Sequence, residues 1–316
     1  MSRDGTVRVV GASDVQRLLT WPSLLAATSD ALVALATPGR APAGSSTQVA
    51  VPGAALHLKV GALLDPQVLS VKANLRPDRG SSSGAILVFD HGSQRLEAVL
   101  ASGDLTAMRT GAIAAVAARA LIRRPRPVLA LVGAGPVARQ TLRALQHVLD
   151  LAEVRVWSRT SARAISFIDD ATLPQRRCLT VSDAVAGADL VVTCTPSRTP
   201  LIERDDLAEG TVILAMGADS PGKRELGPGV LDSADVYVDV LEDALTVGEC
   251  AALDPVRRNR PRQIGKVIVA GSSGVTDGRL VVFDSVGAAA VDAAATALVV
   301  AQARALGVGT IISLTD

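Results

Sequence analysis

A chain of 316 residues, 48% hydrophobic and 20% charged, has the balance of a folded globular protein and the length for two domains with separate cores. That balance excludes a disordered or fibrous chain, and a net charge of +1 supplies no general attraction to nucleic acid. The 3 cysteines, Cys178, Cys194 and Cys250, are odd in number and widely spaced, so neither a disulfide framework nor a zinc spacing is present. With no basic-then-apolar N-terminal pattern and no apolar run of spanning length, a cytoplasmic protein without membrane or nucleic-acid partners is expected.

In chain order, a helix is expected near Ser23–Leu35, then short strands over Ala55–Val60, Val68–Leu75, Ala85–Phe89 and Leu96–Ala101 with turn residues between them. This is the pattern of an α+β domain for substrate binding or dimerisation. Alternation on Val68–Leu75 puts Ser70, Lys72 and Asn74 on one face and Leu69, Val71, Ala73 and Leu75 on the other. The same rule groups His57 with Lys59. If the two strands pair, two lysines line one pocket and each lowers the other's pKa; otherwise Lys72 is a lysine on a solvated sheet face. Gly80-Ser81-Ser82-Ser83-Gly84 has the spelling of a nucleophile elbow, but a strand follows it where a helix is required, which excludes a serine hydrolase.

A helix of small residues, Thr106–Leu121, links this region to the next and is broken by Arg123-Arg124-Pro125-Arg126-Pro127. Arg109 falls in its first turn, where a positive charge opposes the macrodipole. It is either a plain surface arginine or a guanidinium placed to hold a carboxylate.

Val128–Val132 then runs into Gly133-x-Gly135-x-x-Ala138 and a helical Arg139–Leu149, and Val154–Trp157 completes a βαβ unit. Gly133 permits the bend, Gly135 lets a pyrophosphate approach, and Ala138 lets helix pack on strand, with the phosphates at the positive helix end beside Pro136 and Val137. An NAD site usually has an acid after the second strand. Here Ser158-Arg159-Thr160 stands instead, which favours NADP(H) and leaves NAD(H) possible. Leu190–Thr195, Val212–Met216 and Val236–Val240, with helical stretches such as Ser161–Ala171 between strands, continue a doubly wound parallel sheet of Rossmann type. The same cofactor is expected to meet Thr195, Pro196, Met216, Gly217, Ser285 and Gly287. Asp219 lies at the C-terminal edge where such sheets bind ligands, though turn chemistry alone also places an Asp there. Arg257-Arg258-Asn259-Arg260-Pro261-Arg262 reads as a solvated loop, and the Ala-rich Ala288–Leu306 as a helix returning to the first domain. The expected domains are residues 123–286 for the dinucleotide and, discontinuously, 1–122 with 287–316 for the substrate and dimerisation.

Several strings follow a recognisable order: Val71-Lys72-Ala73-Asn74, Gly84–Asp90, Ser102-Gly103-Asp104-Leu105-Thr106-Ala107-Met108-Arg109-Thr110-Gly111-Ala112, the glycine turn, and Gly217-Ala218-Asp219-Ser220-Pro221-Gly222-Lys223-Arg224-Glu225-Leu226. With Phe283-Asp284-Ser285-Val286-Gly287 and Asp292, this order resembles the ornithine cyclodeaminase/mu-crystallin family over nearly the whole chain. The resemblance implies that Lys72 is the catalytic lysine, Arg109 the arginine for the substrate carboxylate and Asp219 the catalytic acid/base. Lys59 and Asn74 are expected beside the substrate. It further implies a homodimer built through the N-terminal domain, and Trp157-Ser158-Arg159-Thr160 is similar to the NADPH-reading strand end of mu-crystallin. Two positions depart from the cyclodeaminases: Ser45 falls where a second clamping arginine belongs, and Lys59 where an acid meets the distal amine of the substrate. A cation at 59 repels the side-chain ammonium of ornithine or lysine. The expected activity is therefore an NAD(P)H-dependent reduction of an imine or ketimine to an amino or cyclic imino acid, or its reverse. The alternatives are an ammonia-releasing cyclodeaminase and an NADPH-dependent binding protein of the mu-crystallin kind.

Overall fold

The computed structural model describes residues 5–42, 44–77, 82–168, 173–258, 260–271 and 278–314, except the side chain of residue 168. Two compact units divide the chain, Met1–Arg109 with Ala288–Asp316 and Thr110–Gly287. In chain order the first comprises β1 (Thr6–Val10), α1 (Ala12–Leu18), α2 (Trp21–Ala36), β2 (Ser45–Val51), β3 (Ala54–Leu63), β4 (Val68–Pro77), β5 (Ser83–Asp90) and β6 (Arg95–Ala101). Helix α3 (Ser102–Leu121) carries the chain into the second unit. There follow β7 (Val128–Val132), α4 (Pro136–Gln146), β8 (Glu153–Trp157), α5 (Ser161–Ile168), β9 (Gln175–Arg177), α6 (Val181–Val185), β10 (Leu190–Thr193) and β11 (Val212–Ala215). That unit ends with β12 (Ala234–Val238), α7 (Leu241–Val247), β13 (Arg262–Gln263), α8 (Ile264–Ala270) and β14 (Leu280–Asp284), after which α9 (Ala289–Ala305) and β15 (Thr310–Ser313) rejoin the first.

The first unit is built on a 7-stranded sheet ordered β15-β1-β6-β5-β4-β3-β2, antiparallel except where β1 runs beside β6. Strict alternation in β4 buries Val68, Ser70, Lys72 and Asn74, and α9 lies across this side of β3, β4 and β5. Alanine makes that close approach possible: α9 carries Ala290, Ala293, Ala294 and Ala295 on its buried positions, and a Cβ added to Gly61 would stand 2.3 Å from the Ala289 carbonyl. Helix α2 supplies Leu24, Leu25, Ala31 and Leu32 at helical spacing to the same core. Burying each leucine contributes about 1.5–3 kcal/mol.

The second unit holds an all-parallel 8-stranded sheet ordered β13-β12-β14-β11-β10-β7-β8-β9. Strands β10, β11 and β14 are buried at every residue, which is why they read as near-continuous apolar runs, broken only by Thr193 and Asp284 at the ends of β10 and β14, rather than alternating ones. Running outward from β7, the chain fills β8 and β9 on one side and β10 and β11 on the other. Its direction of winding thus reverses between β7 and β10, the place where doubly wound sheets open a crevice for ligands.

Most boundaries differ from the sequence expectation by a residue or two, but one difference moves Arg109 away from a helix end. Helix α3 begins at Ser102 rather than Thr106, so Arg109 lies about two turns inside it and beyond the reach of the N-terminal dipole. The charge of Arg109 is answered by a side chain instead, described below. The compact units divide inside α3, whereas the sequence placed the boundary at the Arg123–Pro127 break. Strands β1, β2, β9, β13, β14 and β15 had not been expected at all, and β13 takes Arg262 out of the run read as a solvated loop. The helix expected over Ser161–Ala171 is seen to Ile168; residues 169–172, Gly80, Ser81 and Asn259 lie outside the described residues, while Ser83 and Gly84 open β5. Among the described residues, no single helix is long and apolar enough to cross a membrane.

Candidate functional site

In the first unit, β3 and β4 pair so that Lys59 stands directly opposite Lys72, and His57 opposite Asn74. The four share one face because directly opposed residues in an antiparallel pair point the same way. Lys72 is only 4% exposed, and its Nζ donates to both carboxylate oxygens of Asp292 at 2.8 Å. Asp292 comes from the first turn of α9, and its Oδ1 also meets the Nε of Arg109 at 2.9 Å. The guanidinium is equally buried, and its Nη1 has no hydrogen-bond partner. Asn74 accepts a hydrogen bond of 2.6 Å from Ser102 Oγ at the start of α3.

The electrostatics follow from this packing. Burial pushes the Lys72 ammonium down from 10.5 to about 7, Arg109 and Lys59 push the same way, and Asp292 resists. Burial alone would raise the Asp292 carboxyl; Arg109, Lys72 and Lys59 together outweigh it and hold the group at about 2. The result is a fixed carboxylate, a lysine that exchanges its proton near neutrality, and an arginine with a donor to spare. Like-charge repulsion between the lysines, the cause foreseen from sequence, is real but smaller than desolvation.

Sequence reasoning missed Asp292 as a partner of Lys72. The available signal was its isolation, as the one charged residue in the stretch from Ala288 to Ala301. A buried helix seldom carries a lone carboxylate without a cation to meet it.

In the second unit, the residues expected at a cofactor sit at the C-terminal ends of adjacent strands. Gly133 follows β7 with a φ of 121°, a left-handed conformation favouring glycine, and an added Cβ would stand 2.7 Å from the Cys194 carbonyl oxygen. Gly135 is different: its backbone is extended, and an added Cβ would meet nothing within 4 Å. It caps α4 with no side-chain bond, Pro136 follows inside the first turn, and the main-chain amides of Val137 and Ala138 open the helix. This turn fits a pyrophosphate, since space is left where a side chain would be and free amides and a helix dipole are directed to it.

Ser158, Arg159 and Thr160 follow β8, with Arg159 exposed. Thr195 and Pro196 follow β10, and Met216 and Gly217 follow β11. Ser285 and Gly287 follow β14 and are buried; the Ser285 hydroxyl and the Gly287 amide both donate to Asp239, at 2.7 and 2.8 Å. Asp219 lies beyond β11, half-buried, where Lys223 Nζ donates to its Oδ1 at 2.6 Å and Ser220 Oγ at 3.2 Å. The three cysteines carry no disulfide, and among the described residues no group of His, Cys, Asp and Glu is arranged to hold a metal ion.

Fold and site together define the class: a doubly wound α/β protein with a Rossmann-like parallel sheet, joined to a mixed-sheet unit that buries a lysine–aspartate–arginine cluster. The chain belongs to the ornithine cyclodeaminase/mu-crystallin family, whose model matches residues 71–306. It is 32% identical over 228 residues to alanine dehydrogenase of Archaeoglobus fulgidus, covering 67% of this chain and 68% of that one. It is also 32% identical over 219 residues, 69% of each chain, to ketimine reductase mu-crystallin of Rattus norvegicus. Among solved structures, an archaeal alanine dehydrogenase dimer with bound NAD superposes with a TM-score of 0.90 at 26% identity, covering 98% of this chain and 100% of that one.

Proposed function

We propose that this protein is an NAD(P)H-dependent oxidoreductase acting on a carbon–nitrogen bond next to a carboxylate, reducing an imine or ketimine to an amino or cyclic imino acid, or running the reverse dehydrogenation. The observation that carries this reading is the buried Lys72–Asp292–Arg109 cluster with Lys59 across the strand pair. The family relatives that reduce or dehydrogenate such bonds, and the NAD-bound neighbour, support it.

Each side chain has a task that its surroundings explain. Arg109 keeps Nε on Asp292 and offers Nη1 to the substrate carboxylate, a pairing worth more in a desolvated site than in water. Lys72, poised near neutrality, gives a proton to the substrate nitrogen as the carbon is reduced, or takes one in the reverse direction. Asp292 holds Lys72 in place and keeps part of its population protonated. Asp219 is the second acid/base, and Asn74 orients the substrate from the strand that bears Lys72. Gly133, Gly135 and the first turn of α4 would hold the pyrophosphate of a bound dinucleotide, which would supply the hydride, and Arg159 would favour the 2′-phosphate of NADP.

Lys59 decides between this reading and a cyclodeaminase. Beside Lys72 and Arg109 it makes a cationic wall, which repels the distal ammonium of ornithine or lysine and suits a substrate without one. Retention of Lys72 and Asp219 likewise speaks against a protein that only binds ligand. Like the archaeal relative, the protein acts as a dimer, through the sheet of its first unit. The test is a panel of cyclic imines and of 2-oxo acids with amines, with NADPH and NADH. One reduced cofactor consumed per product without ammonia release is expected; ammonia released from ornithine or lysine with no net cofactor change contradicts it.

A further inference from the structure

The second unit buries a carboxylate that the proposed chemistry does not use. Glu225 is fully buried on the loop after β11, and four donors converge on it. Its Oε2 accepts from Thr193 Oγ1 at 2.7 Å and from the Gly217 amide at 2.9 Å. Its Oε1 accepts from the amide and the hydroxyl of Thr195, both at 2.7 Å. The Thr195 hydroxyl in turn accepts from the Ser197 amide at 3.2 Å, so its own hydrogen is committed to Glu225. One side chain thus ties the end of β10 to the end of β11.

That tie is costly. Burial pushes the Glu225 carboxyl up, and the donors that oppose the shift are hydroxyls and amides rather than a cation. A loop anchor alone would be cheaper as an apolar contact. The placement has a further layer: the Glu225 amide donates to Glu249 Oε1 at 2.6 Å, the Leu226 amide lies 3.4 Å from Glu249 Oε2, and the Leu201 amide donates to the Glu225 carbonyl at 2.8 Å. Glu249 fixes the main chain of Glu225, and Glu225 fixes Thr195 and Gly217. Those strand ends are crowded, since a Cβ on Gly217 would stand 2.3 Å from the Thr195 carbonyl and 2.5 Å from Glu225 Oε2.

We propose that Glu225 is a positioning residue for the bound dinucleotide, holding Thr195 and Gly217 in one register along the crevice. The inference rests on the reading of the β7 turn as the pyrophosphate site. With the adenine ribose at the end of β8, the rest of the dinucleotide extends across β10 and β11, the two ends that Glu225 joins.

The experiment is a fluorescence titration of the purified full-length protein with NADPH and NADH, run alongside steady-state kinetics and thermal melting. Glu225→Gln keeps an oxygen for Thr195 but turns an amide N–H₂ towards the Gly217 amide. The expected result is a cooperatively melting protein whose cofactor affinity is weaker by tenfold or more and whose kcat at saturating cofactor also falls. Wild-type affinity in the folded variant overturns the proposal, whatever its melting temperature, because a merely structural role lowers stability and leaves affinity alone. If Glu225→Gln does not fold, Thr193→Val decides: removing that single hydroxyl is expected to weaken the cofactor about threefold, and an unchanged affinity overturns the proposal. Gly135→Val separates this inference from the reading beneath it. The Cβ it adds has no protein atom within 4 Å, so normal cofactor binding by that variant refutes the pyrophosphate site itself. Loss of binding there with no change in Glu225→Gln refutes only the role of Glu225.

Discussion

Asp292 answers both cations of the cluster at once, so its removal exposes what each of them needs. In Asp292→Asn the Lys72 ammonium loses the one partner that raises its pKa, while Arg109, Lys59 and burial continue to lower it. The sign is therefore fixed: if protonated Lys72 is the acid in reduction, the limb of kcat/KM that falls as pH rises through about 7 moves to lower pH, by one unit or more. A pH–rate profile checks this, and an unmoved limb contradicts the role of Lys72. The substitution also breaks a buried ion pair, at a cost of about 3–5 kcal/mol by denaturant titration. Lys72 and its shared face with Asn74 were legible in the sequence because alternation in a strand needs only local residues. Asp292 was not, since it joins Lys72 across 220 positions, and an Asp in the first turn of a helix already has a local explanation in the dipole.

Helix α9 brings Asp292 to the cluster, and its seat on the sheet depends on the missing side chain of Gly61. Gly61→Ala forces a methyl to within 2.3 Å of the Ala289 main chain, so α9 must shift at the end that carries Asp292. The expectation is a loss of about 1–3 kcal/mol of stability together with most of the activity. Full activity at wild-type stability, measured by thermal melting and initial rates, would contradict that coupling. At this scale the sequence was readable where a pattern is strong. The run Val128–Ala138 announced its strand, turn and helix through apolar residues followed by spaced glycines. The start of α3 was hidden because Gly103 and Asp104 are turn formers, yet the helix springs directly from β6. Strand β14 lacks alternation just as β10 and β11 do, but it was missed because it ends on Asp284, a residue type depleted in strands.

For the molecule as a whole, the second face of the first unit's sheet carries exposed apolar residues at β2–β4. Val49, Val51 and Leu75 are 55%, 52% and 43% exposed, and the register places Leu56, Leu58, Val60, Val71 and Ala73 on that same face. An apolar face of this kind on a folded chain marks a contact with another molecule, and the proposed homodimer would cover it. Leu58→Glu is expected to shift the mass in light scattering from dimer to monomer; a dimer of unchanged stability would place the interface elsewhere. The two-part architecture was legible from the change of rhythm between short alternating strands and long βα repeats. The second role of the Gly217–Leu226 string, tying strand ends through Glu225, was not, because a buried carboxylate held by amides has no sequence spacing of its own.

The proposed reaction moves hydride from the cofactor to carbon, and a deuterium label follows that transfer. With NADPH or NADH deuterated at the transferable position and an imine substrate, one deuterium is expected on the carbon next to the carboxylate in each product molecule, matched by one cofactor oxidised. Product that lacks deuterium there, or that forms with ammonia release while the cofactor pool stays reduced, would contradict it.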